Sequence, residues 1–151
     1  MNSGINSTLR AVFSTDANSA WAAGSGGVIL RWDGTSWNQE MSNTMERLNG
    51  LWGSAANDLW AVGDTGTIQH WDGSRWHSAA SGTTANLTAV SGINAATVWA
   101  VADDGGALRW DGSQWNQAVT GTGAALRGVF AATPAHVYAV GMQGLILHRS
   151  E

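Results

Sequence analysis

The chain has 151 residues, enough for one domain with its own core, and a net charge of −4 with only 12% charged residues. All seven basic residues are Arg, so the basic excess on which nucleic-acid affinity rests is absent. Lack of Cys excludes disulfides and Cys-ligated zinc, and no stretch nears the ~20 apolar residues that span a bilayer, so no membrane insertion is expected.

In chain order, Met1–Ser7 has neither the basic region nor the apolar run of an export signal. Low charge and abundant Ser, Thr and Asn would nevertheless suit an extracytoplasmic surface. From Leu9 onward one unit recurs without a gap, and Leu9, Leu48, Leu87 and Leu126 open its four copies at even spacing. Val12, Leu51, Val90 and Val129 follow, then Trp21, Trp60, Trp99 and Tyr138, each with Ala next to it, then Gly27, Gly66, Gly105 and Gly144. Trp32-Asp33-Gly34, Trp71-Asp72-Gly73 and Trp110-Asp111-Gly112 continue the first three copies, which close on Trp37, Trp76 and Trp115.

The second copy shows how one unit reads. Leu48 to Trp52 is a strand, Gly53 to Asp58 a loop, Leu59 to Val62 a second strand, and Gly63 to Gly66 a turn. Thr67 to Trp71 is a third strand, Asp72-Gly73 starts a hairpin turn, and Trp76 opens a fourth strand. Pro134 falls in the first loop of its copy and interrupts no strand. Four short strands per ~40 residues is the arithmetic of a β-propeller blade, so the fold class is all-β with four blades in the chain. The blades span residues 9–47, 48–86, 87–125 and an incomplete 126–151, with 1–8 as a closing segment.

Residues that recur between copies serve first the blade itself. Trp21, Trp60, Trp99 and Tyr138 sit beside small residues and suit the space between adjacent blades. Asp33, Asp72 and Asp111 each precede a turn Gly and suit capping of turn N–H groups. Six rings, Trp32, Trp71, Trp110, Trp37, Trp76 and Trp115, fall on the outer half of the blade. Arg31, His70, Arg109 and His148 share one repeat position just before the first ring set. Exposed rings with hydrogen-bond donors nearby are what a sugar-binding site uses, so these ten residues are the candidate ligand site. The alternative is that the rings cover blade edges.

His77 and His136 have no ligand-spaced partner, and Asp103-Asp104-Gly105-Gly106 offers too few oxygens for calcium. Neither a metal nor a cofactor is expected. No nucleophile, base and acid occur in a catalytic order, so the chain reads as non-enzymatic.

The run from Leu48 through Trp60-Ala61-Val62-Gly63-Asp64 and Gly66-Thr67-Ile68 to Asp72-Gly73 and Trp76 resembles the BNR-like (Asp-box-like) repeats of bacterial propellers, including the group related to photosystem II assembly factors. The spacing from Asp72 to Trp76 is one residue shorter than an Asp-box, so sialidase activity is not implied. Trp71-Asp72-Gly73-Ser74-Arg75-Trp76 and its copies also look like turns of tectonin-type and fucose-binding propeller lectins. That resemblance implies a lectin-like module with a glycan partner; a protein-interaction scaffold or a self-assembling half-propeller is the alternative. The fourth copy stops at the equivalent of Asp111-Gly112, without a closing Trp. Two chains joined head to tail would make an eight-bladed ring, with the N-terminal segment of each completing blade 4 of its partner beside Leu145–His148. A homodimer is therefore expected.

Overall fold

A computed structural model describes residues 3–150. Blade 1 holds β1 (Leu9–Asp16), β2 (Ser19–Gly24), β3 (Ile29–Trp32) and β4 (Trp37–Glu40). Blade 2 holds β5 (Leu48–Ala55), β6 (Asp58–Gly63), β7 (Ile68–Trp71) and β8 (Trp76–Ala79). Blade 3 holds β9 (Leu87–Asn94), β10 (Thr97–Ala102), β11 (Ala107–Trp110) and β12 (Trp115–Ala118). Blade 4 has β13 (Leu126–Thr133), β14 (His136–Gly141) and β15 (Ile146–Ser150), and no fourth strand among the described residues.

Every sheet is an antiparallel meander in sequence order, and the pairing register repeats from blade to blade. The first strand is longer than the sequence suggests. In blade 2 it runs on to Ala55 through irregularities after Leu48 and Gly53, and the loop shrinks to Ala56-Asn57. A bulge lets a strand pass through Gly and Ser while keeping its ladder, so those residues do not end it.

The third and fourth strands meet at the Asp-Gly turns. Asp72 Oδ1 accepts hydrogen bonds from the N–H of Ser74 (2.8 Å) and Arg75 (2.9 Å), and Asp33 and Asp111 repeat this. The second oxygen meets Asn38 (2.8 Å), His77 (2.5 Å) or Asn116 (2.8 Å). These bonds hold all three carboxyls far below the usual carboxylate range. The leading causes are the Ser36 N–H at Asp33, the Ser74 hydroxyl at Asp72 and the Gln114 N–H at Asp111.

The core lies between blades rather than within them. Trp21, Ala23 and Ile29 of blade 1 pack on Leu48, Leu59 and Ala61 of blade 2. Trp60, Val62 and Ile68 of blade 2 do the same on Leu87, Val98 and Ala100 of blade 3. Each blade thus has a face that receives the blade before it and a face that is presented to the next. The inner strands β1, β5, β9 and β13 pack side by side in that order. Asn49 Nδ2 donates across one seam to Leu87 O (2.9 Å), and Thr88 Oγ1 across the next to Leu126 O (2.8 Å).

The described part of the closing segment does not lie beside β15. Ser3–Thr8 forms no strand, and Ile5 packs against Ala22, Val28, Leu30 and Trp37 of blade 1. The repeat register explains this: the segment matches Ser42–Arg47, a connector between blades, and carries one apolar side chain suited to burial. Met1 and Asn2 lie outside the described residues.

Candidate functional site

The six outer rings do not form an exposed set. Trp71, Trp76 and Trp115 are buried, and Trp110 is half-buried with its Nε1 donating to Ala95 O (3.1 Å). Trp21 meets Trp71 with ring centres 4.8 Å apart and Trp76 edge-on at 5.6 Å and 84°. Trp60 meets Trp110 at 4.8 Å and Trp115 edge-on at 5.2 Å and 88°. So the middle-strand ring of one blade is a guest, and the β3- and β4-type rings of the next blade are its host. In blades 2 and 3 the ring faces that would stack on a sugar are occupied by neighbouring rings.

The Arg/His position lies directly across the ladder from the guest ring: Arg31 opposite Trp21, His70 opposite Trp60, Arg109 opposite Trp99 and His148 opposite Tyr138. His70 stacks on Trp60 at 4.1 Å and 24°, held by Asp58 at 2.6 Å. The Arg31 guanidinium lies 5.3 Å from the Trp21 ring centre and Arg109 lies 5.8 Å from that of Trp99. These side chains cover their own blade's ring, which half-buries Arg31 and His70 and leaves Arg109 exposed.

Both ends of the stack break this pattern. Trp32 and Trp37 of blade 1 are half-buried with centres 5.7 Å apart at 49°. Filled hosts have nearly the same geometry: Trp71–Trp76 at 5.8 Å and 48°, Trp110–Trp115 at 5.9 Å and 49°. The host on blade 1 is therefore built to shape without a guest ring. At the other end Tyr138, the blade 4 guest, is 41% exposed where Trp60 is 1%. His148 stacks on Tyr138 at 4.4 Å and 6°, with His136 Nδ1 3.0 Å from His148 Nε2.

A second contact follows the same logic. Phe13 abuts Gly53 and Trp52 abuts Gly92, so close that a Cβ on Gly92 would lie 2.5 Å from the Trp52 ring. The corresponding ring on blade 4 is Phe130, 64% exposed, and the corresponding small residue on blade 1 is Ser14, also exposed. Ile146 is 70% exposed where Ile68 is 1%, and Val12 is 73% exposed where Leu51 is 8%. Exposed apolar groups concentrated on two matching faces mark an interaction surface. Phe130, Val140 and Ile146 were not singled out from the sequence, and Tyr138 was read there as a ring between adjacent blades, whereas it is exposed. Their repeat positions were readable, but their lack of a neighbour was not.

A smaller polar cleft of about 300 Å³ lies among Arg10, Arg47, Asn49, Asp64, Asp103 and Arg127 near the inner strands. Within it Arg47 pairs with Asp64 at 2.5 Å and Asp103 accepts a hydrogen bond from Asn86 at 2.9 Å, whereas Arg10 and Arg127 form no ion pair among the described residues. Partial burial pushes Asp64 up, but hydrogen bonds from Arg47 and Asn49 with the Arg47 and Arg10 charges leave it below its ordinary value. Among the described residues no group of three or more His, Asp or Glu is placed to hold a metal, and no helix is long and apolar enough to cross a membrane.

This meander stack is the fold of a β-propeller. No known family pattern matches the chain, and no curated protein matches it in sequence. Solved structures do share its fold. "YCF48 bound to D1 peptide" aligns with 14% identity and a TM-score of 0.72 over 100% of this chain and 56% of that one. The computationally designed Ika4 protein aligns with 17% identity and a TM-score of 0.79, over 97% of this chain and 93% of its own. The Cps50 (Swd1) β-propeller domain of Myceliophteria thermophila aligns with 12% identity and a TM-score of 0.74, over 97% and 53%. The chain thus spans just over half the length of two of these propellers and nearly all of the third.

Proposed function

We propose that this chain is a non-enzymatic protein-interaction propeller, and that its first partner is a second copy of itself. Two chains meet head to tail, Tyr138 of each entering the Trp32–Trp37 host of the other, to give a ring of eight blades. The observation that carries this is the unfilled host, whose rings already hold the geometry of the filled ones. Preorganisation of that kind lowers the ordering cost of association. A head-to-tail contact uses two different surfaces, and it closes when the rotation per subunit completes a circle. Here Phe130 would seat over Ser14, and Ile5 would approach Gly144, as Thr44 approaches Gly27 within the chain. The N-terminal segment then serves as a connector at the new seam.

A neighbour whose name records a bound peptide supports the protein-partner class. A glycan partner draws no support from the ring geometry, because the rings it would need are hosts and guests of the seams. The test is absolute mass in solution. The expected mass is twice 15.8 kDa, falling to that of one chain in Tyr138→Ser and Phe130→Asp, both at exposed positions. A wild-type chain that stays single at tens of micromolar, well above nanomolar-to-micromolar interface affinities, would sink the proposal.

A further inference from the structure

The polar cleft at the inner strands collects residues that the blade itself does not call for. The chain has seven basic residues, all Arg. Arg31, Arg109 and Arg149 lie over Trp rings, and Arg75 meets His77 beside its turn. The other three, Arg10, Arg47 and Arg127, line this one cleft of about 300 Å³. Arg10, Asn49, Thr88 and Arg127 are each the second residue of their inner strand, directly after the Leu that opens every copy. A position that takes Arg, Asn and Thr in turn is not fixed by blade packing, so its charge is open to another use.

The floor of the cleft is tied in place. Asn49 Nδ2 donates to Asp64 Oδ1 (2.9 Å) as well as to Leu87 O. Asn86 donates to Asp103 and accepts from the Thr65 N–H (3.0 Å), and Thr88 Oγ1 is held by Val101 O (3.1 Å) and Leu126 O. The two Arg on the first and last inner strands differ. Arg10 makes no hydrogen bond or ion pair among the described residues. Against the upward push of burial, its charge joins Arg47 and Asn49 in holding the Asp64 carboxyl below its ordinary value. Arg127 meets only the weak acceptor Sδ of Met142, at 3.8 Å. The repeat place that holds Asp64 and Asp103 in blades 2 and 3 holds Ser25 and Met142 in blades 1 and 4, so neither Arg finds that acid in its own blade.

We propose that this cleft binds a small hydroxylated dicarboxylate, one carboxylate on Arg10 and the other on Arg127. A guanidinium fork matches a planar carboxylate with two parallel bonds. With Asp64 and Asp103 between the two forks, the cleft favours acids at the ends of a ligand and disfavours one at its middle. Hydroxyls suit that middle, because they can donate to the Asp64 and Asp103 oxygens. A phosphate would instead gather its charge at one point beside the same carboxylates. The volume falls at the small end of ligand sites, ~300–1,000 Å³. The tied floor confines the ordering cost of binding to the two Arg side chains. The site is complete within one chain and does not rest on self-assembly.

The test is isothermal titration calorimetry of the full chain with tartrate and D-glucarate, sugar diacids of two lengths. Adipate, which has the carbon chain of glucarate without its hydroxyls, and inorganic phosphate are the comparisons. The expected result is saturable binding of one sugar diacid per chain, weakening as salt rises. Arg10→Gln and Arg127→Gln should each weaken it by about tenfold, as for the loss of one charge-assisted contact. Both side chains are exposed, so the variants should keep the wild-type melting temperature. Arg75→Gln, outside the cleft, should leave the affinity unchanged, and adipate and phosphate should bind at least about tenfold more weakly. Saturable binding of neither sugar diacid, or an equal loss in Arg75→Gln, would overturn the inference, as would adipate or phosphate binding just as tightly.

Discussion

Blade 2 and blade 4 share the order and register of their first three strands and carry apolar residues at the same repeat positions, yet they differ in what those residues do. In blade 2 Trp60, Val62 and Ile68 are core. In blade 4 Tyr138, Val140 and Ile146 are surface. No property of the side chains makes the difference; it comes from whether another blade follows. In a stack whose units bury their faces only on neighbours, a core residue and a docking residue are one position in two circumstances.

Substitutions at matched positions should break this symmetry, the largest effect coming at the seam. Trp60→Ala removes a guest ring from a filled host and should lower stability by about 3–5 kcal/mol. Tyr138→Ala, measured in the dilute single chain, should change it by less than about 0.5 kcal/mol. Urea denaturation of both variants reads the contrast, and equal losses would mean that blade 4 is covered after all. Glycine provides a second pair. Gly66 has φ +70°, and a Cβ there would lie 2.0 Å from Thr83 O of the connector, whereas Gly144 has φ +72° with open space around it. Gly144→Ala should therefore cost only the left-handed strain of about 1–2 kcal/mol. Gly66→Ala should cost about 3 kcal/mol or more, since the connector must also move. A similar cost at both sites would show that strain and not the close approach dominates.

The smallest effect concerns the turns that all complete blades share. The folded Asp72 carboxyl holds its proton less tightly than the unfolded chain does, so its contribution is fully present above about pH 4. It is lost as pH falls further, through the depressed folded value. Asp72→Asn should lower the melting temperature at neutral pH, and the gap from wild type should narrow at about pH 2.5. A gap independent of pH would assign the effect to geometry rather than to charge.

Much of this architecture is legible in the sequence. Leu, Trp, Gly and Asp recurring once per repeat place the strands, the turns and the number of blades. The turn role of Asp33, Asp72 and Asp111 is also legible, because Asx capping is local. The destination of the outer rings is not. Trp71 and Trp76 are buried by Trp21, which belongs to the preceding blade and lies far from both along the chain. Strand reading has no access to which face of a blade meets which neighbour. The length of β5 escaped for a different reason, since Gly and Ser suggest a loop unless a bulge carries the ladder through them. Ser3–Thr8 likewise has no pattern of its own, and only its register with a connector explains where Ile5 settles.

The pair of indoles at 5.7 Å in blade 1 has one more consequence, for how the chain forms during synthesis. Trp32 and Trp37 face each other across a short turn, so this hairpin closes from local contacts, the fast kind of closure. Each blade can leave the ribosome with its socket already made, the next blade then bringing a socket to the ring exposed by the one before. Growth is vectorial, one click per blade. A chain of this design has no single nucleus to wait for, and the exposed ring of Tyr138 is presented as each earlier guest ring was.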